Sequence, residues 1–201
     1  TLPLAVSGNA EVLIDDVSLT ENLTEDPNLA VNPSFEELDR NGYPAGWSTP
    51  KKYVWRPPQY YQWTDWHHRF SDNRGPVASC DLVAHSGRRS LLMQVYPGDE
   101  MMVESAPVTL NQADRGVVEI GAFVLADRAK WLDIRAIDQD GNDVPAIAAF
   151  SGGWKTPPDG HQIFPSNAHS WVYIRKWFQG AAPLKALRVQ LCARGFNGDT
   201  R

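Results

Sequence analysis

Two stretches of this chain, Val117-Val-Glu-Ile-Gly-Ala-Phe-Val-Leu125 and Trp131-Leu-Asp-Ile-Arg-Ala-Ile137, set apolar side chains at alternate positions. No segment carries a convincing long repeat of period 3.6. Alternation turns one side of an extended strand toward a core, so these stretches read as strands of sheets buried on one side. Fifteen Pro and fifteen Gly keep the other apolar runs short and bound them with turn residues, the pattern of an all-β chain. Strands are expected over 11–19, 28–35, 79–84, 90–96, 101–110, 117–126, 131–138, 171–179 and 184–193. Asp138-Gln-Asp-Gly-Asn142 joins two of them as a hairpin turn. It shares part of the spacing of an EF-hand loop but lacks the terminal Glu.

At 201 residues the chain has room for one domain, or one domain and a short flank. Its 19 Lys and Arg against 24 Asp and Glu give a formal net charge of −5. Such a balance makes no global electrostatic case for nucleic acid or an anionic membrane. No apolar run approaches the roughly 20 residues that span a bilayer. Thr1-Leu-Pro-Leu-Ala-Val6 lacks the basic start of a signal peptide, so an export signal would lie outside this sequence. Cys80 and Cys192 both fall in or beside expected strands, which leaves open a disulfide or two buried thiols. Asn22-Leu-Thr24 matches a glycosylation sequon, a pattern common by chance.

Two segments break the regular strand spacing. Thr49–Val77 interleaves Tyr53, Trp55, Tyr60, Tyr61, Trp63, Trp66, His67, His68 and Phe70 with Pro and polar residues, and Ala146–Ser170 is rich in Gly and Pro around Trp154, His161, Phe164 and His169. Loops this long are usually functional or disordered, and so many rings argue against disorder. The C–H face of a sugar stacks on an aromatic plane while its hydroxyls need short polar partners. Trp55, Tyr60, Tyr61, Trp63, Trp66 and His67, with Gln59, Gln62 and Asp65 among them, carry that chemistry. The same rings would also serve to roof a sandwich under a long loop. Catalysis finds little support. His67 and His68 are adjacent and would diverge on a strand, and neither a metal-binding His spacing nor a Gly-x-Ser-x-Gly phrase occurs.

Four phrases carry a family likeness: Asn28-Leu-x-x-Asn32-Pro-x-Phe-Glu36, Pro44-x-Gly-Trp47, His85-Ser-Gly-Arg-Arg-Ser-Leu91 and Ile14-Asp-Asp-Val-Ser-Leu19. Together they resemble the galactose-binding-domain-like β-jelly-roll carbohydrate-binding modules, of the type of families 4, 9 and 22. The likeness implies a jelly-roll β-sandwich of two antiparallel sheets with long aromatic-rich loops. It divides the chain into a closing-strand segment and linker (1–27, with the strand at Glu11–Leu19) and the module itself (28–201). The closing-strand phrase stands before the opening one. Glu11–Leu19 is therefore expected to fill the vacant position beside Ala30–Glu36, in its own chain or in a neighbour's.

The resemblance also implies a structural calcium ion, with carboxylates from Glu36 and Asp15 and carbonyls from the Ser86-Gly87 turn. It implies a noncatalytic accessory module of a larger exported protein, extracellular or at the cell surface, that binds polysaccharide or oligosaccharide. A different class of function is a structural or protein-interaction sandwich, whose aromatic loop packs on a neighbouring domain of the parent protein.

Overall fold

The computed structural model describes residues 10–21, 27–48, 77–95, 100–112, 116–127, 129–151 and 170–195. These residues form strands and turns with no helix among them. The strands are β1 (Ala10–Glu21), β2 (Trp47–Ser48), β3 (Val77–Cys80), β4 (Ser90–Val95), β5 (Glu100–Ser105), β6 (Val108–Thr109), β7 (Val118–Asp127), β8 (Ala129–Asp138), β9 (Asp143–Val144), β10 (Ala146–Ser151), β11 (Val172–Phe178) and β12 (Ala186–Gly195). One sheet runs β10-β11-β7-β1-β4-β3 and the other β2-β5-β12-β8-β9, with β6 paired to β12. All the pairings are antiparallel. The two sheets pack face to face as a β-sandwich.

Alternation decides which side chains meet between the sheets. From the first sheet come Val12, Ile14, Val17 and Leu19 of β1, Leu91, Met93 and Val95 of β4, Val118, Ile120, Ala122 and Val124 of β7, and Ile174 and Phe178 of β11. Leu132, Ile134, Leu187, Val189, Leu191 and Val103 face them from the second. Lys176, one step from Ile174 in the same inward register, ends in an ion pair with Asp133 of β8 and so ties the two sheets together. Asp133 also accepts from Arg135 Nε at 3.2 Å, so this buried pair has the additional hydrogen bond that buried charges require.

The segment with the closing-strand phrase is β1, and it lies within the first sheet, paired to β4 on one side and β7 on the other in its own chain. At its far end Val17 N donates to Pro33 O and Leu29 N donates to Leu19 O, each at 2.8 Å, so the segment after residue 27 does run beside β1. That segment is a loop, where a strand was expected over 28–35. Asn32 and Phe35 stand at positive φ (42° and 54°), and Pro33 lies between them without an N–H to give a ladder. Asn residues replace the ladder. Asn28 Oδ1 accepts from Leu19 N and Ala30 N while its Nδ2 donates to Val17 O. Asn32 donates to Glu37 O and Ala45 O and accepts from Glu37 N. Phe35 is fully buried and tilts against Trp47 at 5.2 Å, and the Trp47 indole N–H donates to Val31 O.

Other strand limits move for local reasons. The expected strand 79–84 is instead β3 followed by a turn, and 101–110 divides into β5 and β6 at Ala106-Pro107. Part of the Gly/Pro-rich segment from Ala146 is strand β10. The Asp138–Asn142 turn is the β8–β9 hairpin, with Gly141 at φ 87° and Asp138 Oδ1 accepting from Asp140 N and Asn142 N.

The two cysteines are free thiols. Cys80 packs with Leu13 and Leu92 on the outer side of the first sheet, and Cys192 with Met102 and Trp131 on the outer side of the second. Both sheets separate them, which is incompatible with the short Cα separation a disulfide needs.

Candidate functional site

β1 does not run straight through its sheet. Asp15 pairs with Phe123 and Ser18 with Gly121, so one extra residue is inserted on β1. Asp16 takes the irregular position at φ 46°, a conformation that Asp tolerates better than most residues. This β-bulge re-aims two successive carboxylates toward the turn at residues 85–89. Asp15 Oδ2 accepts from the backbone N–H of His85 (2.8 Å) and of Ser86 (3.1 Å), and its Oδ1 accepts from Asp16 N (2.8 Å). Asp16 Oδ1 accepts from Ser86 Oγ at 2.6 Å, and Asp16 Oδ2 lies 2.6 Å from His85 Nδ1.

Glu36 reaches the same turn from the other side. Its Oε1 accepts from Arg88 N at 2.6 Å and Arg89 N at 2.9 Å. Between the two grips stands Gly87, at φ 61°, where a Cβ would run into the Glu36 carboxylate. The sequence phrases at 14–19, 28–36 and 85–91 therefore converge on one turn, held through four of its backbone amides. Burial pushes the Asp15 carboxyl up from its ordinary value, with the amide bonds from Ser86, Asp16 and His85 pulling the other way.

Asp15, Glu36 and Ser86, the residues implied for calcium, are thus brought together. The donors are all oxygen, in keeping with a hard cation, and Asp15, Glu36 and Ser86 would be the residues to hold one. The carboxylate contacts present are to amide N–H groups, which already supply positive charge. Among the described residues no group of three or more His, Cys, Asp and Glu is arranged to hold a metal ion.

The exposed His85 extends the turn into a row of rings on the outer face of the first sheet. Its imidazole stacks on Phe123 at 3.6 Å, with an 11° angle between planes, and meets Trp171 edge-on at 5.7 Å. Phe123 lies 4.9 Å from Tyr173 on the neighbouring strand. The Tyr173 ring crosses β7 above Gly121, and its hydroxyl comes within 3.3 Å of Ser18 Oγ on β1. A Cβ at Gly121 would strike that ring, standing 2.7 Å from Cζ, so the absent side chain of Gly121 is what lets Tyr173 lie across the strand. Further along β11, the Arg175 guanidinium sits over Trp177 (4.7 Å) and Phe150 (5.3 Å) and pairs with Glu119 at 3.5 Å. The face combines partly exposed aromatic planes with hydroxyl, guanidinium and carboxylate groups.

None of these ring residues was a candidate for sugar contact from sequence; His85 entered only as a possible metal or acid/base histidine and in the phrase His85–Leu91. The signal present in the sequence is the alternation Trp171, Tyr173, Arg175, Trp177 on one side of β11 against Ile174, Lys176 and Phe178 on the other. The candidates named for sugar contact, Trp55, Tyr60, Tyr61, Trp63, Trp66 and His67, lie outside the described residues, as do Asn22, His68, His161 and His169.

Compared with known proteins, the chain matches no family model, no curated protein and no solved structure.

Proposed function

We propose that this domain is a noncatalytic carbohydrate-binding module, acting as an accessory of a larger exported, extracellular or cell-surface protein, and that its ligand is a polysaccharide or oligosaccharide. The observation that carries this reading is the ring row His85, Phe123, Tyr173 and Trp177 on one sheet face, interleaved with Ser18, Arg175 and Glu119. Sugar rings need flat apolar planes flanked by hydrogen-bonding groups, and rigid aromatics on paired strands provide them with little loss of conformational entropy. The loop rings Trp55, Tyr60, Tyr61, Trp63 and Trp66 belong to the same proposal as further contacts. So does a structural calcium ion at Asp15, Glu36 and Ser86. Its role would be to fix the 85–89 turn, and with it the stacked imidazole.

A glycan array probed with calcium present and then chelated tests the reading. It should return a defined set of glycans, and Tyr173→Ala or Trp177→Ala should weaken the best of them by about 1–3 kcal/mol, the loss typical of a central contact ring. Absence of any glycan hit, or unchanged affinity in both variants, would count against it.

One observation favours a second reading, a protein-interaction sandwich. Ile147 and Phe150 are 55% and 43% exposed on β10, which ends its sheet among the described residues, and exposed apolar strands at sheet edges invite pairing with another chain. Concentration-dependent self-association or capture of a neighbouring domain, without glycan binding, would favour it.

A further inference from the structure

Residues on either side of His85 in sequence border an open cleft of about 330 Å³, lined by Asp81, Leu82, Val83, Ala84, Gly87, Arg88 and Arg89. Two guanidinium groups and one carboxylate give the lining an excess of positive charge. Neither guanidinium meets a carboxylate among the described residues. Arg89 Nη1 makes a long contact to Ser79 Oγ at 3.4 Å, and both arginines give their backbone N–H to Glu36. Glu36 thus fixes the peptide from which both side chains start, and Gly87 beside it admits no side chain that would fill the space. Arg presents a planar fork of donors that matches a carboxylate or an acidic oxoanion. Three other arginines among the described residues do meet carboxylates. Arg175 is answered by Glu119, Arg188 by Glu104 and Arg135 by Asp133.

Resting on the carbohydrate reading, we infer that this cleft takes the anionic group of an acidic sugar, a uronate carboxylate or a sulfate ester, while the neighbouring sugar rings lie against His85 and Phe123. The module would then select acidic glycans over neutral ones of the same length.

Titration calorimetry on the whole chain tests this with three tetrasaccharides: a galacturonate tetramer, a sulfated glycosaminoglycan tetramer and neutral cellotetraose. At least one acidic ligand should bind about tenfold or more tightly than the neutral one, with a preference that shrinks as salt screens the exposed guanidiniums. The double variant Arg88→Gln/Arg89→Gln should lose that preference while keeping its neutral-sugar affinity and its circular dichroism. The two acidic arms separate carboxylate from sulfate. Equal binding of acidic and neutral tetramers, or an unchanged preference in the double variant, overturns the inference and leaves the carbohydrate reading standing. Binding of none of the three, with no hit on the array, overturns both.

Discussion

Asp15 is fully buried, and its side chain satisfies three backbone amides, those of Asp16, His85 and Ser86. Asp15→Ala removes the acceptors of all three hydrogen bonds at once. The amides of the turn lie near the surface, so water can reach them in part, and about 1 kcal/mol for each is a suitable figure from the range for lost hydrogen bonds. The expected destabilisation is about 3 kcal/mol, or roughly 6–12 °C in melting temperature for a domain of this size. Asp15→Asn keeps one oxygen for His85 and Ser86 but sets an amide –NH2 against the Asp16 N–H, while also removing a charge that burial disfavours.

These effects oppose one another, so Asn should stay within about 1 kcal/mol of the parent, well above Ala. Equilibrium urea unfolding followed by Trp fluorescence reads both values, and an unchanged m-value would show that the unfolded state is not involved. A pH series adds a sign. Because the folded carboxyl is pushed above its ordinary value of 3.8, the fold holds this proton more tightly than the unfolded chain does. Its contribution is therefore fully present below 3.8 and lost as pH rises through the folded value. Relative to Asp15→Asn, the parent should thus gain stability as the solution is acidified through that window. If Asn were as damaging as Ala at neutral pH, the negative charge itself would be required. The amide-acceptor account would then give way to a bound cation.

Gly121→Ala should displace Tyr173, at a cost of about 1–3 kcal/mol typical of overpacking. The pairing of Gly121→Ala with Tyr173→Ala in a double-mutant cycle should recover most of that loss, and additive losses would deny the contact. Deleting residues 1–21 removes β1 and its buried Val12, Leu13, Ile14, Val17 and Leu19. At about 2 kcal/mol for each side chain this is of the order of 10 kcal/mol, comparable with a whole domain's stability. A truncated chain that remained soluble and cooperatively folded would contradict it. Asp39 and Asp138 are both lowered, first by backbone bonds from Tyr43 and Asn142 respectively. Their contribution holds above pH 3.8 and fades as pH falls through the lower folded values, so Asp39→Ala and Asp138→Ala should each flatten the acid limb of a stability–pH curve. If calcium is bound at Asp15 and Glu36, millimolar calcium should raise the melting temperature of the metal-free chain; insensitive melting would remove the ion from the proposal.

The strand content was open to reading because alternation is local. Val118 to Ala126 and Leu132 to Ala136 declare their inward sides within ten residues. What alternation does not carry is partnership across long separations. Tyr173 over Gly121, or His85 on Phe123, depends on which strands become neighbours and on a bulge at Asp16 that has no periodic signature. Residues 28–35, expected as a strand, form a loop instead, since Asn28 and Asn32 side chains imitate backbone partners. Asp15 and Glu36 meet the 85–89 turn through its backbone amides, those of His85 and Ser86 for Asp15 and those of Arg88 and Arg89 for Glu36, while the Ser86 hydroxyl donates to Asp16.

The place of β1 in its sheet also bears on how the chain comes to be folded. Ala10 pairs with Val95 and Glu11 with Asp127, so the central strand of the sheet can find neither neighbour until far later sequence is present. Loop closure over such separations must precede any gain from pairing, which places the domain among the slow folders of high contact order. During synthesis an apolar strand emerges well ahead of both its partners. Its two free edges are then open to the wrong chain for as long as translation of the intervening residues takes.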